Sequence, residues 1–351
     1  MIYKKLLIFS FFIASLPTQV FATNDADPLQ TVYESRGDLQ SAFNVDGTPV
    51  GNAAGFLMNL KDWARQYGWQ EYPELISYAP LTVPPSRLQP TSYQLQPPTS
   101  SMYIVIDNAS GAILAAEHAE EPWPIASITK LMTASVALDS GIDAGGTGSI
   151  VAADDVGGAR LNVFSGTTFT TRDLLAATLV GSANNAANAI ARMTGFSRES
   201  FVEKMNAYAA LLGMTRAHFV DPTGIELGNT ANAREVAALA RSAFGRENIR
   251  KFAGSSTTHI AALSDAAYIR DIKSTNWLLY DHAYDDLYVT AGKTGFLNES
   301  GWNLVVELHP MHDDDTHRSL TIVTLGAAGR RESFDDAAAL ARWTWGNFEW
   351  R

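Results

Sequence analysis

Ser127 and Lys130 are three residues apart at the start of an apolar segment that follows Pro124. A proline followed by an apolar helical pattern predicts a helix start, and on a helix this spacing places both side chains on one face. A serine hydroxyl is a weak nucleophile unless a neighbouring base takes its proton. A lysine can be that base only where burial or a second cation lowers its pKa. The pair therefore predicts a serine nucleophile with a lysine base, although the spacing alone is common in chains of this length.

A second polar group interrupts a helical pattern later in the chain. The pattern begins at Thr170, with Thr170 and Asp173 in the positions of a capping box, and is broken by Ser182 and Asn184. These two residues are either simple helix caps or polar groups directed into a site.

A third group lies at the end of a predicted strand that begins at Leu287. Lys293 and Thr294 at the inner edge of a strand can bind a carboxylate, and Gly295 lets a substrate backbone approach closely. The N-terminus of the helix that carries Ser127 would direct free N–H groups toward a developing oxyanion.

In this order the three groups match the Ser-x-x-Lys, Ser-x-Asn and Lys-Thr-Gly set of penicillin-binding proteins and class A β-lactamases. Residues 124–134 and 293–296 resemble the low-molecular-mass D-alanyl-D-alanine carboxypeptidase family of serine peptidases. Asp221-Pro-Thr-Gly224 resembles a further landmark of that family. The resemblance covers about residues 102–345, and within the family the chain looks most similar to the small soluble murein DD-endopeptidases.

The resemblance implies a role for each matching residue. In the family, the nucleophilic serine is acylated while the lysine takes its proton. The second serine and the asparagine relay protons and orient the substrate amide, and the Lys-Thr-Gly strand holds the carboxylate or peptide end. The implied catalytic residues are Ser127, Lys130, Ser182 and Asn184, and the implied substrate-binding residues are Lys293, Thr294, Gly295 and Phe296.

The resemblance also implies which groups stabilise the oxyanion, what keeps Lys130 neutral and which molecules the protein binds. The backbone N–H groups of Ser127 and Phe296 would form the oxyanion hole, and Lys293 would help to keep Lys130 neutral. The substrates would be peptidoglycan stem peptides, and β-lactam antibiotics would be covalent inhibitors. Because this serine mechanism requires no metal, we predict no cofactor.

Two features match the family pattern only in part. Arg330 or Arg331, after the last predicted strand, is a candidate for the arginine that binds the terminal carboxylate in some relatives. Asn185 stands where relatives often carry an acidic residue, which would change the electrostatics of the site without removing an assigned group.

The sequence leaves three functions open. A peptidase would remove a terminal D-alanine as a carboxypeptidase or cut a cross-link as an endopeptidase, and the resemblance favours the endopeptidase. A β-lactamase would use the same serine and lysine with an acid on a loop between Ser182 and Lys293, where Glu226 lies. A scaffold of wall or pilus assembly would use the domain only to bind peptidoglycan.

The elements that must position these residues predict an α/β (α+β) fold. Strands are expected at 102–106, 112–116, 287–293, 302–308 and 319–325, with helical patterns over about 125–250 and a last helix over 333–345. Two early and three late strands suggest one antiparallel five-stranded sheet flanked by helices, with a mostly helical lobe inserted between them. This is the DD-peptidase/β-lactamase-like fold that the resemblance implies.

The part of the chain before residue 102 differs from the rest in composition and hydrophobic pattern. Residues 1–22 have the basic start, apolar run and small residues of a cleaved secretory signal, which predicts export to the periplasm. Residues 23–80 contain one amphipathic helical pattern and are interpreted as a small module of unknown role that could bind an envelope protein. Residues 81–101, rich in proline and small polar residues, are interpreted as a linker, leaving residues 102–351 as the peptidase domain.

Composition narrows the remaining possibilities. The formal net charge is −11, so nucleic acid is not an expected partner. The chain has no cysteine, which excludes disulfides and thiolate chemistry. His309, His312 and His317 surround Asp313-Asp314-Asp315, and we interpret them as a solvated acidic loop between two strands, not as a metal site.

Overall fold

A computed structural model describes residues 83–89, 94–311 and 316–350 of the chain. Within these ranges the strands are β1 (Ser86–Arg87), β2 (Met102–Asp107), β3 (Ile113–Glu117), β4 (Trp123–Pro124), β5 (Thr147–Ser149), β6 (Thr168–Thr170), β7 (Thr230–Ala231), β8 (Thr257–Ala261), β9 (Ile269–Lys273), β10 (Leu287–Leu297), β11 (Gly301–Pro310), β12 (Leu320–Ala327) and β13 (Phe348–Glu349). The α-helices are α1 (Thr129–Asp139), α2 (Thr171–Leu179), α3 (Asn184–Met193), α4 (Arg198–Leu211), α5 (Ala233–Phe244), α6 (Glu247–Ala253) and α7 (Arg330–Asn347). Short 3₁₀ turns cover Ala126–Ile128, Ala152–Asp154, Trp277–Leu279, His282–Tyr284 and Thr316–Arg318.

The central sheet has five antiparallel strands in the order β10-β11-β12-β2-β3. Strand β2 is buried along its whole length because it lies between two other strands and is covered on both faces. Its side chains alternate between the faces, so Tyr103 and Val105 join the core under α7 together with Phe334 and Leu340. Helix α5 packs on β2 and β12. The prediction of one sheet built from two early and three late strands is confirmed.

Helix α1 is the central helix of the helical lobe. It contacts α2, α3, α4, α5 and α6, and its residues from Thr129 to Ala137 are all buried. A helix that is buried on every side can only be accommodated inside such a cluster. Its position fixes the two predicted site residues at its N-terminal end relative to every neighbouring helix.

The hairpin of β8 and β9 is an element that the sequence did not predict. Its two strands pair from Thr257 with Lys273 to Ala261 with Ile269. Most of its side chains are exposed or half-buried, so the alternation of apolar and polar residues that marks a strand is weak. The hairpin is held by its backbone ladder and by contacts with α2.

The described part of the segment interpreted as a linker contacts the domain. Ser86 and Arg87 pair with Glu349 and Phe348, joining β1 to β13. Thr99 and Ser100 donate backbone and side-chain hydrogen bonds to the carboxylate of Asp336 on α7, at 2.6–3.0 Å. The signal segment 1–22 and the module 23–80 lie outside the described residues, as do His312 and Asp313–Asp315. None of the described helices has the length and apolar character needed to cross a membrane.

Replacing Asp336 with Asn is expected to destabilise the fold by about 2 kcal/mol, since the substitution removes a buried charged acceptor of several hydrogen bonds. Urea unfolding followed by tryptophan fluorescence measures the effect. Glu203→Gln, at an exposed position on α4, is the matched control and should leave the midpoint unchanged. An Asp336→Asn midpoint equal to that of the wild type would contradict a stabilising role for this contact.

Candidate active site

Ser127 lies in the 3₁₀ turn Ala126–Ile128 that leads directly into α1. The preceding residue, Ala126, has a φ of 50°, a backbone conformation that residues with a side chain rarely adopt. Nζ of Lys130 is 2.8 Å from Oγ of Ser127. The spacing of three residues therefore brings the two side chains together, as predicted.

The amine of Lys130 is fully buried and has three hydrogen-bond partners. Besides Ser127, it donates to Oδ1 of Asn184 at 2.7 Å and to the carbonyl oxygen of Thr223 at 2.6 Å. Burial lowers the pKa of Lys130 well below its usual value, and the charge of Lys293 lowers it further, while Asp221 acts in the opposite direction. A lysine with a lowered pKa can accept a proton from a neighbouring hydroxyl.

Ser182 and Asn184 are directed toward the two lysines and do not cap α3. The N-cap residue of α3 is Ala183, which makes no side-chain capping bond. Oγ of Ser182 accepts a hydrogen bond from Nζ of Lys293 at 2.9 Å, while Asn184 binds Lys130. Ser182 has a φ of 59°, and such strained residues are common at functional sites. The geometry therefore favours the interpretation that Ser182 and Asn184 are directed into a site, and not the interpretation that they are simple helix caps.

Lys293 lies within β10, which continues past the predicted end of the strand to Leu297. The amine is fully buried, and this burial lowers the pKa of Lys293 to about 7. Its second hydrogen bond is to the carbonyl oxygen of Thr294 at 2.8 Å. Oγ1 of Thr294 is 2.6 Å from Oγ1 of Thr275. Both predicted carboxylate-binding side chains therefore lie in the same cluster as Ser182.

Gly295 brings β10 against the turn that carries Ser127. A methyl group at this position would lie 2.6 Å from the carbonyl oxygen of Ile125 and 3.2 Å from the backbone nitrogen of Ser127. The next residue, Phe296, is largely exposed and stacks on Trp302. The two backbone N–H groups predicted for the oxyanion hole thus belong to segments that face each other, and their role stays a prediction.

The loop Asp221–Gly224 positions the third partner of Lys130, a contribution that the sequence did not assign. The buried carboxylate of Asp221 accepts hydrogen bonds from the backbone of Thr223, Gly224 and Glu226, and from the Thr223 hydroxyl and the Asn229 amide. Gly224 has a φ of 81°, and any side chain there would overlap the carbonyl oxygen of Ala126. The motif Asp-Pro-Thr-Gly was the available signal, because a buried aspartate commonly fixes a loop by accepting backbone N–H bonds.

Asn185 has a structural task that suits an amide. Its Oδ1 accepts from the backbone nitrogen of Leu161 at 3.0 Å, and its Nδ2 donates to the carbonyl oxygen of Leu161 at 2.9 Å. A carboxylate could satisfy only the first of these bonds. Asn185 therefore holds the backbone of Leu161 through both atoms of its amide.

Of the two candidate arginines, Arg330 is the one connected to the site. It donates to the carbonyl oxygen of Thr275 at 3.3 Å, and Thr275 in turn contacts Thr294. Arg331 forms ion pairs with Asp281 and Asp335.

Comparison with known proteins identifies relatives of this chain. A family model described as D-alanyl-D-alanine carboxypeptidase matches residues 90–328. The D-alanyl-D-alanine endopeptidase of Haemophilus influenzae is 34% identical over 205 residues, covering 58% of this chain and 68% of the relative. The D-alanyl-D-alanine endopeptidase of Escherichia coli is 30% identical over 272 residues, covering 76% of this chain and 84% of the relative.

Solved structures give the same picture of the fold. The D-alanyl-D-alanine carboxypeptidase from Mycobacterium tuberculosis superposes with a TM-score of 0.64 at 26% identity, covering 72% of this chain and 94% of that one. The Streptomyces K15 DD-transpeptidase superposes with a TM-score of 0.64 at 22% identity, covering 72% of this chain and 99% of that one. The predicted fold class is therefore confirmed.

Gly295→Ala is expected to lower the rate of acylation by a fluorescent penicillin about a hundredfold, because the added methyl group would push β10 away from the Ser127 turn. Gly145→Ala is the matched control, since its methyl group would come no closer than 3.4 Å to another group. Both variants should keep a cooperative thermal transition. An acylation rate for Gly295→Ala close to that of the wild type would contradict the close approach.

The pH dependence of acylation should report the pKa of Lys130. Acylation needs the neutral amine, so the rate is present above this lowered pKa and is lost as pH falls through it. Lys293→Gln removes a cation that lowers the pKa of Lys130, so the midpoint should move upward. The measurement is the acylation rate as a fraction of its maximum at each pH.

Lys251→Gln, at an exposed position on α6, is the control for that profile and should leave the midpoint in place. An unchanged midpoint in Lys293→Gln would show that the two amines are not coupled.

Proposed function

The chain belongs to the D-alanyl-D-alanine carboxypeptidase family, and on that premise we propose that it hydrolyses D-alanyl peptide bonds in peptidoglycan through an acyl-enzyme on Ser127. The observation that carries the proposal is the buried amine of Lys130, which lies 2.8 Å from the Ser127 hydroxyl. Its pKa is lowered by burial and by a second lysine, which favours the neutral amine that a general base requires.

In the proposed acylation, Oγ of Ser127 forms a bond to the carbonyl carbon of the D-alanyl residue, and its proton moves to Nζ of Lys130. The backbone N–H groups of Ser127 and Phe296 stabilise the negative charge that develops on the carbonyl oxygen. The carbon–nitrogen bond then breaks, and the proton held on Nζ of Lys130 passes through the hydroxyl of Ser182 to the leaving amine, so that Lys130 is neutral again.

Deacylation uses Lys130 as the base again. A water molecule gives its proton to Lys130 as its oxygen attacks the ester carbon, and Ser127 leaves with a proton returned from the lysine. Asn184, which is hydrogen-bonded to Lys130, and the Lys293–Thr294 pair would hold the substrate amide and the carboxylate while these steps take place. Arg330, which reaches Thr275 beside Thr294, would add positive charge on the carboxylate side.

We propose endopeptidase activity over carboxypeptidase activity. Relatives from Haemophilus influenzae, Pseudomonas aeruginosa and Escherichia coli are named D-alanyl-D-alanine endopeptidases, at 34%, 31% and 30% identity. Both activities form the same acyl-enzyme and differ only in the amine that leaves.

The two alternative functions have less support. Glu226, the acid considered for the β-lactamase alternative, is exposed. Within the described part of the chain its side chain forms no hydrogen bond with Ser127 or Lys130. A scaffold without catalysis would have no need for a buried pair of lysines with lowered pKa values.

We further propose that the protein acts in the periplasm after removal of residues 1–22, and that residues 23–80 bind an envelope partner. The export pattern of the first residues supports the location, and the amphipathic pattern supports the second role.

Labelling with a fluorescent penicillin tests the proposed function. The mature protein is expected to form a stable covalent adduct, Ser127→Ala is expected to form none, and Ser200→Ala on α4 is the matched control that keeps it. Cross-linked muropeptide dimers and monomeric pentapeptides then separate the two peptidase activities. Rapid destruction of free penicillin without an adduct would support the β-lactamase instead, and neither adduct nor destruction would support the scaffold.

A further inference from the structure

A cavity of about 350 Å³ lies beside the segment that carries Ser182. This volume is within the range of known ligand sites. Three segments form its walls: the loop around Arg160, the backbone of Gly181 and Ala183, and the β8–β9 hairpin. The hairpin contributes Tyr268, Arg270 and Ile272.

The walls of the cavity are attached to the catalytic segment. The backbone nitrogen of Asn184 donates to the carbonyl oxygen of Ala159 at 2.6 Å, which fixes the loop before Arg160. The backbone nitrogen of Thr275 donates to the carbonyl oxygen of Val180 at 3.2 Å, which fixes the end of the hairpin. Gly181 and Ala183 are the immediate neighbours of Ser182 on either side. The cavity therefore adjoins the segment that carries Ser182.

The charged groups of the cavity favour an anion. The Arg270 side chain stacks over the ring of Tyr268 at 5.0 Å and donates to the carbonyl oxygen of Ile269. Among the described residues it has no carboxylate partner, so several of its N–H donors are available. Arg160 contacts Asp155 through one nitrogen at 3.2 Å. Asp271, which lies 2.8 Å from Nδ1 of His259, is the single acid among the lining residues, against the two arginines.

We propose that this cavity binds the leaving portion of a cross-linked substrate, an acidic peptide whose free carboxylates are recognised by Arg270 and Arg160. The inference rests on the proposed function, in which Ser182 delivers a proton to the leaving amine. The chain attached to that amine then runs along Gly181 and Ala183 between the two arginines. A guanidinium binds a carboxylate through paired N–H donors, which suits this chemistry. A single D-alanine leaves without any attached peptide, so the cavity is a feature that an endopeptidase would use.

The experiment compares Arg270→Ala, Arg160→Ala and the double variant with the wild-type protein. One substrate is a cross-linked muropeptide dimer, and a second is the same dimer with the free carboxylates of its leaving peptide converted to amides. Acylation by fluorescent penicillin is measured in parallel, because penicillin carries no leaving peptide. Arg198→Ala, at an exposed position on α4 and outside the cavity walls, is the matched control. Arg270→Lys tests whether charge alone restores binding.

For Arg270→Ala, kcat/KM for the dimer with free carboxylates should fall about tenfold, and further in the double variant, while penicillin acylation stays within about twofold of the wild type. The amidated dimer should be cleaved slowly by the wild type and no more slowly by the variants. Arg270→Lys should recover part of the loss.

If Arg270→Ala cleaved the dimer with free carboxylates as fast as the wild type does, this inference would be overturned and the proposed function would stand. Equal losses on both dimers, or a matching loss of penicillin acylation, would also overturn it, since the arginine would then not be recognising a carboxylate. A wild-type protein that neither binds penicillin nor cleaves either dimer would instead overturn the proposed function.

Discussion

The burial of the Lys130 amine is the constraint on which the site depends. A buried cation without partners is costly, so such a group must become neutral or be surrounded by acceptors. Here the acceptors come from three separate parts of the lobe: the turn before α1, the start of α3 and the Asp221–Gly224 loop. Each of these must be in its native place before the amine is satisfied, so the packing around α1 and the assembly of the site are one event.

The second lysine extends this constraint to the sheet. Lys293 belongs to β10, yet its amine is buried against Ser182 in the helical lobe. The lysines thus link sheet and lobe through neighbouring polar groups, and the charge of Lys293 lowers the pKa of Lys130. Gly295 and Gly224 approach the Ser127 turn from the sheet and from the lobe, where a side chain would clash with the backbone of Ile125 or Ala126. The nucleophile is positioned mainly by backbone contacts from both sides.

Much of this arrangement was predictable from the sequence, because the relevant signals are local. The spacing of Ser127 and Lys130, the broken helix at Ser182 and the strand at Lys293 each specify a backbone geometry, and the five strands were strong apolar patterns. The hairpin of β8 and β9 was missed because its strands are largely exposed. The carbonyl of Thr223 was missed because a backbone acceptor leaves no residue type to recognise. The choice between Arg330 and Arg331 required tertiary contacts, since adjacent residues on a helix have the same sequence signal.

The pairing of β2 with β12 has a consequence for the order in which the protein matures. Residues 102–107 form hydrogen bonds with residues 320–325, so the first strand of the sheet waits for nearly the last part of the chain to be synthesised. Contacts this distant in sequence slow folding, because a long loop must close before they form. Ser127 is made early, but β10, which completes its surroundings, is made late. A growing chain therefore contains Ser127 long before the active site is complete. The serine becomes reactive only when the whole domain has folded.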